Sequence, residues 1–118
     1  MKEWNYKHLI VWQKAIDLAV LVYRLTDSFP KSEQYALTSQ IRRAASSIPA
    51  NIAEGSRRKG SKDRIHFWVI AYGSGSELES HLELSRRLSY VTAEKLSCIE
   101  SLLDELMKIL NRLTSSSG

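Results

Sequence analysis

The chain reads as all-α, an antiparallel up-down-up-down four-helix bundle, on three observations. Leu96, Ile99, Leu103, Leu106, Leu110 and Leu113 alternate in steps of three and four, which puts apolar side chains on one face of a helix. Other long segments carry helical apolar periodicity too, and none shows the period-two alternation of a half-buried strand. The breaks at Phe29-Pro30, at Gly55 to Gly60 and before Thr92 are short, and short links make consecutive helices antiparallel neighbours. At 118 residues, 43% hydrophobic and 25% charged, the chain is expected to be one domain over 1–118, with an ordered core over about 6–113.

Met1 to Lys7 is a short polar arm that orders only where Trp4 and Tyr6 find a surface, and these two rings are candidates for contact with a partner. From His8 to Asp27 the first helix is apolar around most of its cylinder, with few polar residues inside it (Gln13, Lys14, Asp17, Arg24). A helix of that kind is buried on more than one side. In so small a domain a second subunit covers the other side most easily, which predicts an oligomer.

Pro30 fixes the next turn, and Ser32 is the expected N-cap of the second helix. That helix carries Leu37, Ile41, Ala44 or Ala45, Ile48 and Ile52. Pro49, in mid-pattern, removes a backbone donor at a cost of about 3 kcal/mol or more in an ordinary helix interior, so a kink or a restart is expected there. Gly55 and Gly60 let the helix stop and the chain turn.

Ser61 is the expected cap of a third helix reaching Tyr90, with Asp63 in its first turn, where a negative charge suits the helix dipole. Ile65, Trp68, Tyr72, Gly75, Leu78 or Glu79, Leu82 and Ser85 trace its seam. Gly73 and Gly75 each cost about 1 kcal/mol relative to Ala in such a helix. The expected offset is close approach of a neighbouring backbone, that of the kinked second helix. They do not form a dinucleotide loop, because no strand precedes them and the third glycine is missing. Thr92 is the expected cap of the fourth helix, and Thr114 to Gly118 is a Ser-rich tail expected to fray.

Charge is unevenly spread. The net formal charge is +4, yet Lys31 to Arg64 alone holds eight basic and three acidic residues, a local excess of +5. That concentration points to an anion-facing surface, and the alternative is a solvated loop that carries charge for solubility. The candidate nucleic-acid-binding residues are Arg42, Arg43, Arg57, Arg58, Lys59, Lys62 and Arg64, since basic side chains contact phosphates without reading sequence. For one of Arg42 and Arg43 a structural role is expected, as a partly buried partner of Glu77 or Glu54. Asn51, Glu54 and Glu77 are assigned to that polar cluster.

Little in the chain supports catalysis or a resident cofactor. His8, His66, His81 and Cys98 show no metal-ligand spacing, and no metal site is expected. Neither Arg58 nor Arg64 stands at the spacing from His66 found in the Arg-then-His pair of helical-bundle RNases. Glu79 and Glu83 lie on one helical face and are better placed to pair with Arg86 or Arg87 than to work as acid and base. Trp12, Trp68, Tyr23 and Tyr72 fall in the apolar pattern and read as core, not as base-stacking platforms. One cysteine cannot form an intramolecular disulfide, no leader pattern opens the chain, and the longest apolar stretch, Leu18 to Tyr23, is far below the roughly 20 residues of a membrane span. A cytoplasmic protein with no membrane contact is expected.

Several motifs carry a resemblance. Leu9-Ile10-Val11-Trp12-Gln13-Lys14-Ala15, Phe29-Pro30-Lys31, Gln40-Ile41-Arg42-Arg43-Ala44-Ala45, Ser47-Ile48-Pro49-Ala50-Asn51-Ile52-Ala53-Glu54-Gly55 and Ala71-Tyr72-Gly73-Ser74-Gly75-Ser76-Glu77-Leu78 together resemble the rRNA intervening-sequence proteins, also called four-helix-bundle proteins. The resemblance spans roughly Tyr6 to Arg112. It implies a four-helix bundle assembled as a ring-like homopentamer. It also implies kinship with the accessory protein of diversity-generating retroelements, which binds its reverse transcriptase and nucleic acid. The functional expectation is a non-enzymatic, oligomeric module that binds RNA or DNA through a basic surface, the alternative being a protein-scaffolding ring without nucleic-acid binding.

Overall fold

A computed structural model describes residues 5–115; Trp4 and the last three residues of the expected tail lie outside them. Helix α1 spans Ile10–Thr26, α2 Leu37–Ser56, α3 Ser61–Arg87 and α4 Ala93–Ser115, with short 3-10 turns at Tyr6–His8 and Lys31–Glu33. No strand occurs among the described residues. Helix α1 packs on α2 and α4, and α3 on α2 and α4, so the four form a closed bundle 48 Å long. The predicted all-α four-helix bundle is the observed one.

Periodicity sets the core. Leu18 of α1, Ile41, Ile48 and Ile52 of α2, Leu78 and Leu82 of α3, and the α4 series Leu96, Leu103, Leu106 and Leu110 are almost fully buried. Burying a side chain of this size contributes about 1.5–3 kcal/mol, so the shared core, not helix propensity, holds the helices in register. Helix α1 is less enclosed than its composition suggests. Val11, Ala15, Leu18, Ala19 and Val22 are buried, whereas Ile10, Val20 and Tyr23 are exposed. The predicted second apolar side therefore exists and is open in the single chain.

Local details differ from expectation where tertiary contacts decide them. Ser32 lies in the Lys31–Glu33 turn and caps nothing. The first amide of α2, on Leu37, instead donates to Glu33 Oε1 at 3.3 Å. Glu33 Oε2 also accepts from the Tyr90 hydroxyl at 2.8 Å, tying the α1–α2 link to the α3–α4 link. Ser61 is the first residue of α3, and its N-cap is extended Gly60 without a side-chain bond. Thr92 does cap α4, accepting from Lys95 N at 3.2 Å.

Pro49 is buried within an uninterrupted α2, with no restart. Helix α3 ends at Arg87 rather than Tyr90, and Ser89 turns the chain with φ 64°. Thr114 and Ser115 continue α4 instead of fraying, their hydroxyls donating to Leu110 O and Asn111 O.

The glycines correct a further expectation. Gly73 faces open space, and a Cβ on Gly75 would run into Met107 of α4, not into the α2 backbone. Close backbone approach between α2 and α3 occurs in the last turn of α2. A Cβ on Gly55 would lie 2.9 Å from Arg64 O and 2.8 Å from Trp68 Nε1.

Candidate nucleic-acid interface

The α2–α3 turn is short and held from both sides. Arg57 N donates to Ala53 O and Glu54 O, and Arg58 N to Gly55 O, closing the end of α2. Trp68 Nε1 reaches back from α3 to Ile52 O at 3.3 Å, passing the notch left by Gly55. Arg64 donates through one nitrogen to Arg58 O and Lys59 O, both at 3.1 Å. Two carbonyls of the turn are thus satisfied by a guanidinium, which adds a positive charge to the segment while fixing its backbone.

The turn displays its other cations in two ways. Arg57 lies over the Tyr6 ring at 5.2 Å, and Tyr6 packs edge-on against Trp12 at 5.3 Å. Arg58 pairs with Glu54 at 2.6 Å and sits over Phe67 at 4.7 Å. Lys59 and Lys62 are exposed and have no ion-pair partner among the described residues. Five cations, Arg57, Arg58, Lys59, Lys62 and Arg64, therefore stand against two carboxylates, Glu54 and Asp63, at one end of the bundle. Stacking a guanidinium on an aromatic face is worth about 0.5–1 kcal/mol at exposed sites, which restrains the arginine head group without neutralising it.

Arg42 and Arg43 do not join this patch. Fourteen residues separate Arg43 from Arg57, about 21 Å along α2. Arg42 is a structural tie to α1: Nε donates to Thr26 Oγ1 at 2.8 Å, and one terminal nitrogen to Tyr23 O at 3.1 Å and Asp27 Oδ1 at 2.9 Å. Its guanidinium also lies over the Tyr23 ring. The expected structural arginine is therefore Arg42, but its carboxylate is Asp27 rather than Glu77 or Glu54. Arg43 is exposed.

The expected cluster of Asn51, Glu54 and Glu77 does not assemble. Asn51 donates to Ser47 O and Ser47 Oγ, and Ser47 is hydrogen-bonded to Ser74 of α3 at 2.9 Å. Glu54 belongs to Arg58, and Glu77 stands 3.5 Å from His81 Nε2 one turn along α3. The polar contact between α2 and α3 is thus a Ser–Ser–Asn group, which needs no charge. Sequence reasoning missed Phe67 as a platform and assigned Tyr6 to an outside partner. Tyr6 is an aromatic outside the helical pattern, and that was the available signal; its partner, Arg57, depends on the bundle bringing the N-terminal turn beside the end of α2. No group of three or more potential metal ligands occurs among the described residues, and no described helix is long and apolar enough to cross a membrane.

Comparison with known proteins places these features. The chain is similar to a crystallised protein of unknown function from the S23 ribosomal protein family of Bacteroides thetaiotaomicron, with 28% identity and a TM-score of 0.81 over 90% of this chain and 99% of that one. No match is found among curated proteins. The model of the 23S rRNA-intervening sequence protein family matches residues 7–112, nearly the whole bundle, and the chain belongs to that family.

Proposed function

We propose that this protein is a non-enzymatic, oligomeric binding module that holds nucleic acid through the basic α2–α3 turn. The observation that carries the reading is the arrangement of that turn: five cations on a short, hydrogen-bonded loop and the first turn of α3, two of them seated on aromatic rings and two with no ion-pair partner among the described residues. Phosphate contacts require positive charge presented at low conformational cost, and they do not require catalytic geometry. The family's association with an intervening sequence of 23S rRNA makes structured RNA the first ligand to test. A cytoplasmic location fits this reading.

Assembly is the second part of the proposal. Ile16, Ala19, Val20 and Tyr23 of α1 line an open, mainly apolar groove of about 400 Å³ that reaches Ser46 of α2. An exposed apolar surface of this kind favours a subunit contact, and five copies in a ring is the number the family resemblance supplies. Such a ring would repeat the basic turn once per subunit. The same resemblance offers a reverse transcriptase as a protein partner, and a ring that binds only protein is the competing reading.

The test compares two charge-matched variants. Lys59→Gln with Lys62→Gln removes two cations from the turn; Lys95→Gln with Lys108→Gln removes two from α4. Gel-shift titration with structured RNA and duplex DNA should show selective weakening in the first variant, with the oligomer intact by light scattering. Equal weakening in both would indicate a diffuse field, and no binding by the parent at low salt would transfer the proposal to the protein-scaffold reading.

A further inference from the structure

Charge alone does not account for the arginines of the basic turn. Lys59 and Lys62 carry exposed ammonium groups with no ion-pair partner among the described residues, which suits point contacts to phosphate. Arg58 is different. Glu54 already holds one of its terminal nitrogens at 2.6 Å, so much of its charge is answered within the chain. Its guanidinium carbon also sits 4.7 Å from the centre of the Phe67 ring, yet the side chain stays 44% exposed. A head group met at its edge by a carboxylate and on one side by a ring keeps its other side open. Arg57 sits likewise over the Tyr6 ring, at 5.2 Å, and is exposed.

Neither ring belongs to the shared core. Trp12 and Tyr72 pack against that core, whereas Tyr6 precedes α1 and meets Trp12 edge-on, and Phe67 is half-buried beside exposed His66, edge-on at 5.2 Å. Two rings outside the core thus carry the two consecutive arginines that follow α2. One stack stands toward the N-terminal turn and the other toward α3, so they flank the basic turn. A guanidinium is planar, delocalised and weakly hydrated, and it stacks on flat π-systems where an ammonium does not. Each stack therefore offers solvent a flat cationic surface whose far side is already braced by a ring.

We propose, resting on the nucleic-acid reading of this turn, that its ligand is single-stranded: unpaired bases stack on the open sides of the Arg57 and Arg58 guanidiniums while Lys59 and Lys62 take neighbouring phosphates. Splayed-out bases stack on aromatic rings and on arginine planes in this way. In a duplex the base faces are covered by adjacent pairs, so a duplex gains only the phosphate contacts. Stacking accepts any base, because every base has a π-face, and the site therefore selects for strandedness and not for sequence. The unpaired nucleotide is the chemistry shared by an RNA loop and a single DNA strand.

The probes are oligo(U), oligo(dT), the oligo(dT)·oligo(dA) duplex and an abasic deoxyribose-phosphate strand, all of one length, titrated into the full chain at one low salt concentration. Oligo(U) and oligo(dT) should bind more tightly than the duplex, and about a hundredfold more tightly than the abasic strand, about tenfold for each stacked base. The tighter of the two assigns RNA or DNA as the source. Arg57→Lys with Arg58→Lys keeps both charges and removes both planes, so affinity for the unpaired strands should fall toward that of the abasic strand. A second readout needs no variant: the Hε resonances of Arg57 and Arg58 should move upfield under the ring currents of stacked bases. The proposal is overturned, with the phosphate reading left standing, if the abasic strand or the duplex binds as tightly as oligo(U) and oligo(dT), if the double lysine variant keeps their full margin, or if the Hε resonances stay in place at saturation. Absence of binding by every strand would instead overturn the phosphate reading, and this proposal with it.

Discussion

Gly73 and Gly75 lie two residues apart in α3 and should respond oppositely to the same substitution. Gly73→Ala adds a methyl to open space and should stabilise by about 0.5–1 kcal/mol through helix propensity. Gly75→Ala drives a methyl into the flexible Met107 thioether, which must swing aside in the α3–α4 seam, and net of the same propensity gain it should destabilise by up to about 2 kcal/mol. Urea unfolding of the two variants reads both signs, and equal effects would contradict the packing described for Gly75. Sequence showed that the glycines needed an explanation. It could not name Met107, which reaches Gly75 only through the packing of α3 on α4. Arg42 and Arg43 were similarly inseparable in sequence, because Asp27 meets Arg42 only after the α1–α2 link folds back. Arg42→Gln should cost about 1–2 kcal/mol, whereas Arg43→Gln should change stability little. Glu83 provides a pH readout. Hydrogen bonds from Arg86 and Arg87 hold its carboxyl well below the usual carboxylate range, at about 2. Because the folded pKa is depressed from 4.5, this contribution is present above pH 4.5 and is lost as pH falls through about 2. Carboxyl NMR should give that midpoint, and Glu83→Gln should flatten the acid limb of the stability curve.

At the scale of elements, α4 was the most legible, because an unbroken three-four alternation specifies both helix and buried face. Its Thr92 cap was legible too, since an N-cap is a local interaction between a side chain and an amide a few residues on. Ser32 and Ser61 failed as caps because longer-range structure decides where those helices begin: Glu33, held by Tyr90, sets the entry to α2, and Gly60 sets the entry to α3. The Tyr90 hydroxyl is correspondingly pushed above its ordinary pKa, chiefly by its hydrogen bond to Glu33. The α2–α3 junction is the element contact most sensitive to volume. Gly55→Ala would press against the Arg64 carbonyl and the Trp68 ring, and backbone cannot rotate aside. A loss of about 1–3 kcal/mol is expected, with disturbed amide resonances across Arg57 to Arg64. Unchanged resonances there would mean that Gly55 does not set the geometry of the turn.

For the molecule as a whole, the bundle architecture and the basic segment were both visible in sequence, but the patch was drawn too long. Arg42 and Arg43 lie in α2, at least about 21 Å along its axis from Arg57 at its C-cap, so one basic segment in sequence is two separate places in space. The surface that remains is the turn from Arg57 to Arg64. Light scattering at micromolar concentration should show an oligomer, because Ile10, Val20 and Tyr23 leave α1 exposed in the single chain; a stable monomer would contradict the assembly proposal. The most direct measurement of the central claim is the affinity of the assembled protein for duplex DNA and structured RNA as a function of salt. Binding through phosphates predicts a linear fall of log affinity with log salt on the duplex, with a slope near −0.9 per phosphate neutralised. Lys59→Gln with Lys62→Gln should make the slope shallower, while Lys95→Gln with Lys108→Gln should leave it unchanged. A slope indifferent to salt, or one reduced equally by both variants, would contradict a nucleic-acid interface at the α2–α3 turn.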